Sequence, residues 1–412
     1  MTALHRVAVT GIGVVTPLGI GVAAFWDGVL SERVAVAPLT RFDASAYRSR
    51  IAAQVDDFEP RDFLAAKRLH WTDRFSQFAI AAARLAFEDA AYHPGSTEVG
   101  VYLGSALGGL AFADEQHDVF RERGLEAVKP LLAISVFGGA ATSNVAIEFG
   151  LHGPTVANGN SCASGAVALG DAFRAIARGD VRAALAGGVE APLSPLVYGA
   201  FTVIRAMSQR NDDPQAASRP FDARRDGFVM AEGAGILLLE RLDDARARDA
   251  RIYGEIAGYG LSNDAHHMSA PRPDGMHNAA AMRGALGEAG VAPDEVDVLN
   301  AHGSGTPLGD RAEAIATELV FGRRAHAIPV TATKGQHGHA LGASGAWEAA
   351  LSLLAMKHGI VPRSVNSDDA DSGCALAIAR EPLRVRARTV LSNSAGFGGI
   401  NAALLLRAVE SR

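Results

Sequence analysis

Apolar and polar positions along this chain follow two alternating patterns: short apolar runs, and longer stretches with helical spacing. The short runs are rich in β-branched residues and are bounded by glycine or polar residues, which is typical of buried strands. In the first half of the chain they occupy residues 6–15, 99–106, 181–190 and 234–242. Between them, residues 75–91 and 164–179 carry apolar side chains at the spacing of one helix face. This alternation predicts an α/β fold built in layers.

The same alternation begins again after about residue 252. The predicted strands there are 252–261 and 296–303, and the predicted helices are 275–290 and 344–359. Gly359 follows the last apolar position of its helix and predicts the helix end. Residues 389–406 then read as a strand, a glycine-rich turn and a second strand. The second half therefore repeats the α/β pattern of the first.

Two segments also resemble each other directly. Residues 101–112 and 390–404 both read as a strand followed by Ser-Ala and a Gly-Gly turn. We therefore expect a duplicated architecture, with one half at 1–252 and the other at 253–412. Because no Pro/Ser-rich linker separates these halves, we expect them to share one packed body.

Composition and charge narrow the possible functions. With 48% hydrophobic and 20% charged residues in 412, the chain has enough apolar surface for a large core. A net charge of −6 gives no basic field, so nucleic acid is not an expected partner. Thr, Pro and Gly interrupt the apolar residues 6–25, which predicts a buried strand and turn rather than a signal peptide. No apolar run reaches about 18 residues, so we expect no membrane span and a cytoplasmic protein.

One of the two cysteines lies in an unusual context, the octet "NGNSCASG" at 158–165. Cys162 precedes a predicted helix, where unpaired backbone N–H groups and the helix dipole favour a thiolate. This position predicts a nucleophile whose pKa is lowered. The alternative is a buried structural thiol, the commoner role of a lone cysteine. A disulfide with Cys374 is not expected in a long chain of this kind.

Two histidines lie on other glycine-rich loops. His302 follows an apolar strand in "VLNAHGSGTPLGD", where catalytic residues often lie, although a histidine bonded to local backbone is the alternative. The glycines after His302 do not have the spacing of a dinucleotide fingerprint. His339 lies in "TATKGQHGHALGASGAWE" with His337, Lys334 and Glu348. Two histidines without a neighbouring Cys or Asp are too few for a zinc site, so no metal is expected.

A cysteine and two histidines on separate loops fit acyl-thioester chemistry. The thiol would attack an acyl group, and the imidazoles would move protons or donate hydrogen bonds to a developing oxyanion. Lys334 and Glu348 could form a buried ion pair that fixes a neighbouring imidazole, or a surface salt bridge. These residues alone leave several thiol enzymes open, including hydrolases.

Several blocks together resemble the β-ketoacyl-acyl carrier protein synthases of the thiolase superfamily. The resemblance covers nearly the whole chain, from "VAVTGIGVVTPLG" at 7–19 to "GFGGINAAL" at 396–404. Its most specific blocks are "SCASG" at 161–165, residues 209–235, "NAHGSGTPLGD" at 300–310 and "TKGQHGHALGASGA" at 333–346. The resemblance implies a five-layer, duplicated αβαβα thiolase-like fold. It also implies a condensing acyltransferase of the ketoacyl synthase II type.

Roles for individual residues follow from the resemblance. Cys162 would accept an acyl chain from an acyl carrier protein, and His302 and His339 would promote decarboxylation of malonyl-carrier protein. The enolate would attack the acyl-Cys162 thioester, giving a β-ketoacyl product and carbon dioxide. Backbone N–H groups of Cys162 and Phe397 would form the oxyanion hole, with Phe397 as a gate. The resemblance also implies that Lys334 and Glu348 form the supporting polar pair. It implies that the hydroxyls of Ser304 and Thr306 bind pantetheine. No separate cofactor is implied, because phosphopantetheine carries the substrates.

The same residues distinguish close relatives. A thiolase would have a second cysteine where this chain has Phe397, and acyl-CoA-primed synthases would have Asn in place of His339. Chain-length-factor subunits lack the nucleophile, whereas Cys162 is present. Positions implied to line an apolar pocket for a medium-length or unsaturated acyl chain are Ala106, Leu107, Phe201, Phe228 and Ile400. Positions implied to dock the carrier protein are Lys67, Arg68 and Arg205, since "HWTD" at 70–73 lacks the family's basic pair.

Three questions stay open at the level of sequence. Fatty acid elongation competes with polyketide assembly, although "AHGSGT" and "EAPLSP" are more similar to type II polyketide ketosynthases. The dimer could be a homodimer or a heterodimer with a chain-length-factor-like subunit. The chain could also be a catalytically silent subunit that shapes a partner's pocket, which the intact Cys162, His302 and His339 disfavour.

Overall fold

The computed structural model describes residues 4–95, 98–369 and 371–410. Its strands are β1 (Val7–Thr16), β2 (Gly19–Ile20), β3 (Val36–Pro38), β4 (Ile51–Ala53), β5 (Gly100–Gly104), β6 (Thr155–Asn158), β7 (Ala183–Glu190), β8 (Gly233–Arg241), β9 (Gly254–Asn263), β10 (Val298–Asn300), β11 (Val330–Thr331), β12 (Ile360–Val361), β13 (Leu383–Arg384), β14 (Thr389–Gly396) and β15 (Ile400–Arg407). Most of them belong to one large mixed sheet, and β3–β4 and β12–β13 form two small separate pairs.

The helices lie mainly between these strands. They are α1 (Val22–Leu30), α2 (Ala66–Leu69), α3 (Arg74–Asp89), α4 (Leu110–Arg123), α5 (Leu132–Ser135), α6 (Ala140–Phe149), α7 (Ser164–Arg178), α8 (Pro195–Val203), α9 (Leu242–Ala247), α10 (Met276–Ala289), α11 (Pro307–Phe321), α12 (Lys334–His337) and α13 (Ser344–His358). The predicted stop at Gly359 is confirmed, because this residue caps α13 in the left-handed conformation. Within the described ranges, no helix is long and apolar enough to cross a membrane.

The order of strands across the large sheet shows the duplication. From one edge to the other it runs β11-β10-β14-β15-β9-β1-β8-β7-β5-β6. Read outward from the centre, each half has two antiparallel pairings followed by two parallel pairings. We keep the division at 1–252 and 253–412 as a proposal, supported by this repeated strand order.

The correspondence between the halves differs from the one that sequence similarity suggested. By position in the sheet, β5 is equivalent to β10, and β14 is equivalent to β7. The similar segments 101–112 and 390–404 therefore contain strands that are not equivalent. The duplication is present, but this similarity does not mark its corresponding parts. The true repeat is "CASGA" at 162–166 and "GASGA" at 342–346. Each stretch forms a tight turn and then a helix of 15 residues, α7 or α13.

These two helices form the middle layer of the molecule. α7 and α13 pack against each other and against strands of both halves, and they share the largest apolar core. α3 and α6 cover the outer side of the first half, and α10 and α11 cover the second. The predicted αβαβα layering is confirmed. Both middle helices begin near the centre of the body, so the residues preceding them meet there.

Candidate active site

Cys162, His302 and His339 line a single cavity of about 300 Å³. Cys162 and His302 lie on loops that follow β6 and β10, and His339 follows β11 and the short helix α12. Other predicted site residues that line the same cavity are Phe201, Phe228, Ser304, Thr306 and Phe397. The fold thus brings together the three candidate reactive groups, which are separated by up to 177 positions in the chain.

Cys162 lies in the tight turn Ser161–Ala163, directly before α7. Ser161 has a φ of 52°, which turns the chain sharply and places the thiol at the cavity with only 8% of the residue exposed. Burial raises the pKa of the thiol to about 11, although the Ser161 hydroxyl, the Lys334 charge and the Phe397 N–H each lower it. The prediction of a lowered pKa is therefore wrong, because loss of water at the sulfur outweighs the favourable contacts.

His302 is held through its backbone. The N–H groups of His302 and Gly303 donate to the two carboxylate oxygens of Glu313, at 2.7 and 2.8 Å. Its carbonyl accepts a hydrogen bond from the Lys334 ammonium. In the described part of the chain the ring Nδ1 has no hydrogen-bond partner. Burial, followed by the charge of Lys334, holds the pKa of His302 well below its usual value, so this imidazole is neutral.

His339 is held through both backbone and ring. Its N–H donates to the carbonyl of Val229 at 2.7 Å, and Nδ1 lies 2.9 Å from the Ser344 hydroxyl. The ring meets the His302 ring edge to face, with centroids 5.2 Å apart. Burial and the Lys334 charge also hold the pKa of His339 well below its usual value. The site therefore contains two neutral imidazoles.

Lys334 and Glu348 form a buried ion pair, each with a side chain 1% exposed. The surface salt bridge considered from sequence is thereby excluded. Besides Glu348, the ammonium group binds the carbonyl of His302, so it fixes the loop that carries the imidazole. Burial raises the pKa of Glu348 to about 7 against the opposing charge of Lys334.

His337 is a structural residue. Its Nδ1 donates to the Gly338 carbonyl at 2.8 Å, and its Nε2 accepts from the Thr333 hydroxyl at 2.9 Å. Both ring nitrogens are therefore occupied within the chain. Among the described residues, no group of three or more His, Cys, Asp or Glu side chains is placed to hold a metal ion.

Ser304 and Thr306 present neighbouring hydroxyls at the cavity, 3.0 Å apart. Two acidic residues that we did not assign from sequence support this loop from α11. Asp310 accepts hydrogen bonds from the N–H groups of Gly305 and Phe221, and Glu313 holds the neighbouring His302 backbone. Asp310 and Glu313 are three residues apart at the start of α11, so their spacing was a signal that both face the loop.

An aromatic wall borders the cavity. The ring of Phe201 lies 6.1 Å from those of Phe397 and Phe228, and the Phe228 ring lies 5.4 Å from that of His339. Phe397 also brings its N–H close enough to the sulfur of Cys162 to lower the pKa of the thiol. Because Gly396 packs directly against the Cys162 N–H, both proposed oxyanion donors lie at this turn.

Three predicted pocket residues lie outside the cavity lining. Ala106 and Leu107 belong to an apolar cluster that contains Cys162 and Phe228, so they lie next to the site. Ile400, expected in the pocket wall, starts β15 directly after the cavity-lining Gly399 and is partly buried against the largest apolar core. Its place in the acyl pocket stays a prediction.

Glu190 is a further buried residue that sequence reasoning missed. Its carboxylate accepts hydrogen bonds from the Ser105 hydroxyl and from three backbone N–H groups, those of Ala106, Leu107 and Gly342. It therefore ties the turn after β5 to the turn after His339. Burial raises the pKa of Glu190 to about 7 against these hydrogen bonds.

The three basic residues expected at the carrier-protein surface have different surroundings. Lys67 is exposed, and Arg205 is exposed at the cavity mouth with a φ of 57°. Arg68 instead donates to Glu148 at 3.1 Å and to Asn144 at 3.0 Å, with its side chain 18% exposed. The guanidinium of Arg68 is therefore used within the chain.

Comparison with known proteins gives consistent matches over the whole length. Residues 4–245 match the model of the β-ketoacyl synthase N-terminal domain, and residues 253–368 match that of the C-terminal domain. The chain is 41% identical to the 3-oxoacyl-[acyl-carrier-protein] synthase 2 of Coxiella burnetii, covering 98% of this chain and 99% of that protein.

Solved structures are also similar. The ishigamide ketosynthase/chain length factor superposes with a TM-score of 0.92 at 34% identity, covering 99% of this chain and 100% of that one. A type II polyketide ketosynthase, bound to a hexaketide and in complex with its acyl-carrier protein, superposes with a TM-score of 0.90 at 33% identity. The coverage there is 99% of this chain and 100% of that one.

Proposed function

The chain belongs to the β-ketoacyl synthase family, and on this premise we propose that it catalyses a decarboxylative Claisen condensation. An acyl group held on Cys162 is joined to the two-carbon unit of malonyl-acyl carrier protein, giving β-ketoacyl-acyl carrier protein and carbon dioxide. The observation that carries this proposal is the meeting of Cys162 with two neutral histidines in one cavity. Fatty acid and polyketide assembly both use this reaction, and relatives of both kinds match the chain.

The first step is acyl transfer to the thiol. The sulfur of Cys162 attacks the thioester carbon of the acyl-carrier protein, and the pantetheine sulfur leaves. The proton lost by Cys162 ends on that leaving thiolate, so charge balances. The N–H groups of Cys162 and Phe397 stabilise the tetrahedral oxyanion, since both lie at the turn beside the sulfur. Ser304 and Thr306 bind the pantetheine arm.

The second step uses the histidines. Malonyl-carrier protein loses carbon dioxide when the electrons of its C–C bond form the enolate of the remaining thioester. His302 and His339 donate hydrogen bonds to the enolate oxygen, for which neutral imidazoles are suited. The enolate carbon then attacks the acyl-Cys162 thioester, and the Cys162 thiolate leaves and takes up one proton from solvent, which balances the step.

An assay with purified protein, malonyl-carrier protein and acyl-carrier protein tests this sequence of steps. We expect carbon dioxide release and a β-ketoacyl product, and we expect Cys162→Ala to abolish the product while leaving slow malonyl decarboxylation. Product formed at the normal rate by Cys162→Ala would overturn the covalent mechanism. A folded wild-type protein whose Cys162 reacts with neither acyl-carrier protein nor iodoacetamide would support the silent-subunit alternative.

The acyl group is proposed to be apolar and of medium length. Phe201, Phe228 and Leu341 line the cavity, and Ala106 and Leu107 lie in the same apolar cluster as Cys162. Contact with these side chains favours a hydrocarbon chain over a short polar acyl group. A series of acyl-carrier proteins with chains of increasing length measures this preference. A strict preference for the two-carbon acyl group would contradict it.

Docking of the carrier protein is proposed at the cavity mouth. Arg205 is exposed there beside Ile204 and Leu308, which are 52% and 64% exposed. Lys67 is exposed on α2 outside the cavity lining, and Arg68 is paired with Glu148. We expect Arg205→Glu to raise KM for the carrier protein and to leave acyl transfer from a small soluble thioester unchanged. An equal effect on both substrates would argue against this docking site.

A dimer is proposed to form at the β6 edge of the large sheet. β11, at the opposite edge, is paired further with residues 377–379, whereas no additional strand among the described residues pairs with β6. Val156 on β6 is 39% exposed, Ile147 on the neighbouring helix α6 is 66% exposed, and Phe137 in the turn before α6 is 48% exposed. Such an exposed edge fits a second copy, or a related subunit, added across a two-fold axis.

Molar mass in solution tests this assembly. We expect a dimer for the purified chain, and we expect Val156→Arg to shift it to monomer. Leu319→Arg is a matched control, because this residue is 43% exposed on α11 in the opposite half. A wild-type monomer that becomes a dimer only when produced with a second subunit would favour the heterodimer.

A further inference from the structure

Ser344 is a buried hydroxyl residue that directly contacts a proposed catalytic histidine. It is the first residue of α13, is 0% exposed, and places Oγ 2.9 Å from Nδ1 of His339. The contact spans five residues, and Leu341 between them has a φ of 42°. This left-handed residue turns the chain so that the helix start lies against the imidazole that precedes it.

The position of His339 is otherwise fixed. Its N–H donates to the Val229 carbonyl at 2.7 Å, and its own carbonyl accepts from Ala231 N–H at 2.9 Å. The ring packs at nearly right angles against Phe228 and His302. The main property left open is which ring nitrogen carries the single proton of the neutral imidazole.

The surroundings of Ser344 decide this question. Within the described part of the chain, the Ser344 hydroxyl has one hydrogen-bond partner, Nδ1 of His339. If Nδ1 carried the proton, the buried hydroxyl would accept that proton's hydrogen bond and leave its own hydrogen unpaired. If the hydroxyl donates instead, both groups are satisfied and the proton lies on Nε2. His339 lines the cavity, so Nε2–H is the donor available to a substrate there.

The other repeat supplies a comparison. Ser164 occupies the equivalent first position of α7, but its hydroxyl donates to the carbonyl of Ser161 at 2.7 Å, with a longer contact to Ser105. In the first repeat this hydroxyl therefore closes the turn that carries the nucleophile. In the second repeat the same residue type contacts an imidazole instead.

We propose that Ser344 is a positioning residue that donates its hydroxyl hydrogen to Nδ1 of His339 and so keeps the imidazole proton on Nε2. This inference rests on the proposed function. As malonyl-carrier protein loses carbon dioxide, the Nε2–H group donates a hydrogen bond to the thioester oxygen on which enolate charge develops. Without Ser344 the imidazole populates both tautomers, and the Nδ1–H form has no donor facing the substrate.

Separate assays of the two half-reactions test the proposal. We expect Ser344→Ala to lower kcat for malonyl decarboxylation about 10- to 100-fold, by analogy with the loss of a partner that orients a metal-binding imidazole. KM for malonyl-carrier protein and the rate of Cys162 acylation should stay unchanged. Ser344→Thr keeps a hydroxyl and should restore most of the decarboxylation rate. Decarboxylation within about twofold of wild type in Ser344→Ala would overturn the proposal.

Nitrogen NMR of the histidine side chains tests the tautomer directly. With ¹⁵N-histidine labelling and assignment by His339→Gln, we expect wild-type His339 to give the Nε2–H pattern. Ser344→Ala should give a mixture of tautomers, and Ser164→Ala, which removes an equally buried hydroxyl, should keep the wild-type pattern. An Nδ1–H pattern in the wild-type protein would overturn the proposal. Absence of β-ketoacyl product would instead count against the proposed function, because the NMR measurement needs no substrate.

Discussion

The charge of one buried ammonium group reaches all three candidate reactive side chains. Lys334 lowers the pKa values of Cys162, His302 and His339, in each case alongside a larger effect of burial. For the imidazoles the two effects act together, whereas for the thiol they oppose each other and burial dominates. The three candidate reactive groups are therefore neutral at rest, and the thiol loses its proton only during reaction.

Alkylation of the thiol should show this protonation state. Because burial raises the pKa of Cys162 to about 11, the thiolate fraction rises about tenfold per pH unit below that value. We expect the rate of iodoacetamide labelling to rise accordingly from pH 7 to 10. The measurement is made in a Cys374→Ser background, since Cys374 is the other free thiol. A rate that levels off near pH 7 would point to the lowered pKa expected from the helix start.

Removing one charge of the Lys334–Glu348 ion pair should destabilise the protein more than removing both. Lys334→Met leaves a buried carboxylate without its partner, which typically costs about 3–5 kcal/mol of stability. Lys334→Met combined with Glu348→Met should recover most of this loss, because two apolar side chains replace two buried charges. Decarboxylation should remain low in both variants, since neither keeps the bond to the His302 carbonyl.

Denaturant unfolding and carbon dioxide release measure these two effects separately. A double variant as unstable as Lys334→Met alone would show that the lost stability comes from the His302 contact rather than from the unpaired charge.

The sequence predicted which candidate residues meet in the cavity, but it did not predict their environment. Cys162, His302 and His339 could be proposed because each lies on a glycine-rich loop, Cys162 before a predicted helix and His302 after a predicted strand. The pKa of Cys162 could not be predicted from the sequence, because it depends on burial by segments distant in the chain. Glu190 was also beyond reach, since its partners lie 83 to 152 residues away.

At the scale of elements, the two middle helices approach each other through glycine. A Cβ atom on Gly165 of α7 would lie 2.7 Å from the carbonyl oxygen of Gly342, in the turn that follows His339. A side chain there must therefore displace backbone. The close contact makes the position of the His339 loop depend on the helix that follows Cys162.

Gly165→Ala should accordingly affect both stability and reaction. We expect a loss of about 1–3 kcal/mol in the free energy of unfolding, typical of overpacking, together with slower malonyl decarboxylation. Gly287→Ala is a matched control, because Gly287 lies in α10 with open space around its Cα. That change should stabilise the protein by about 0.4–1 kcal/mol through the unfolded state. Equal stability of the two variants in denaturant would contradict the packing argument.

The long buried elements were predictable from periodicity, and the short exposed ones were not. β1, predicted at 6–15, spans Val7–Thr16 and is buried throughout, so its apolar run carried a clear signal. β6 has only four residues, and three of them are exposed, so its sequence lacks that signal. The buried central strands could thus be predicted from the sequence, but the edge strand β6 at the proposed dimer face could not.

At the scale of the whole molecule, buried titratable groups make stability depend on pH in opposing ways. Burial lowers the pKa of His337 to about 3 from an unfolded value near 6.5. Its contribution to stability is present above pH 6.5 and is lost as pH falls toward 3. Burial raises the pKa values of Glu190, Asp310 and Glu348 to about 7, so their contributions are present at low pH and are lost as pH rises through 7.

The His337 contribution can be isolated by substitution. Between pH 4 and 6 we expect the unfolding free energy of the wild-type protein to rise more steeply with pH than that of His337→Gln. The difference in slope should be about 1.4 kcal/mol per pH unit, the value for one proton. Urea unfolding at several pH values measures both slopes. Parallel curves would show that His337 binds a proton in the folded state.

The duplicated body has two equivalent helix starts, yet only one of them can hold a nucleophile. Gly342 stands where Cys162 stands in the first repeat, and a Cβ atom there would lie 2.7 Å from Cα of Ser105 and 2.8 Å from the Glu190 carboxylate. A cysteine at position 342 would therefore collide with the carboxylate that ties the two turns together. This packing therefore limits each chain to a single bound acyl group. Intact mass spectrometry of the acylated protein should show one added acyl mass per chain.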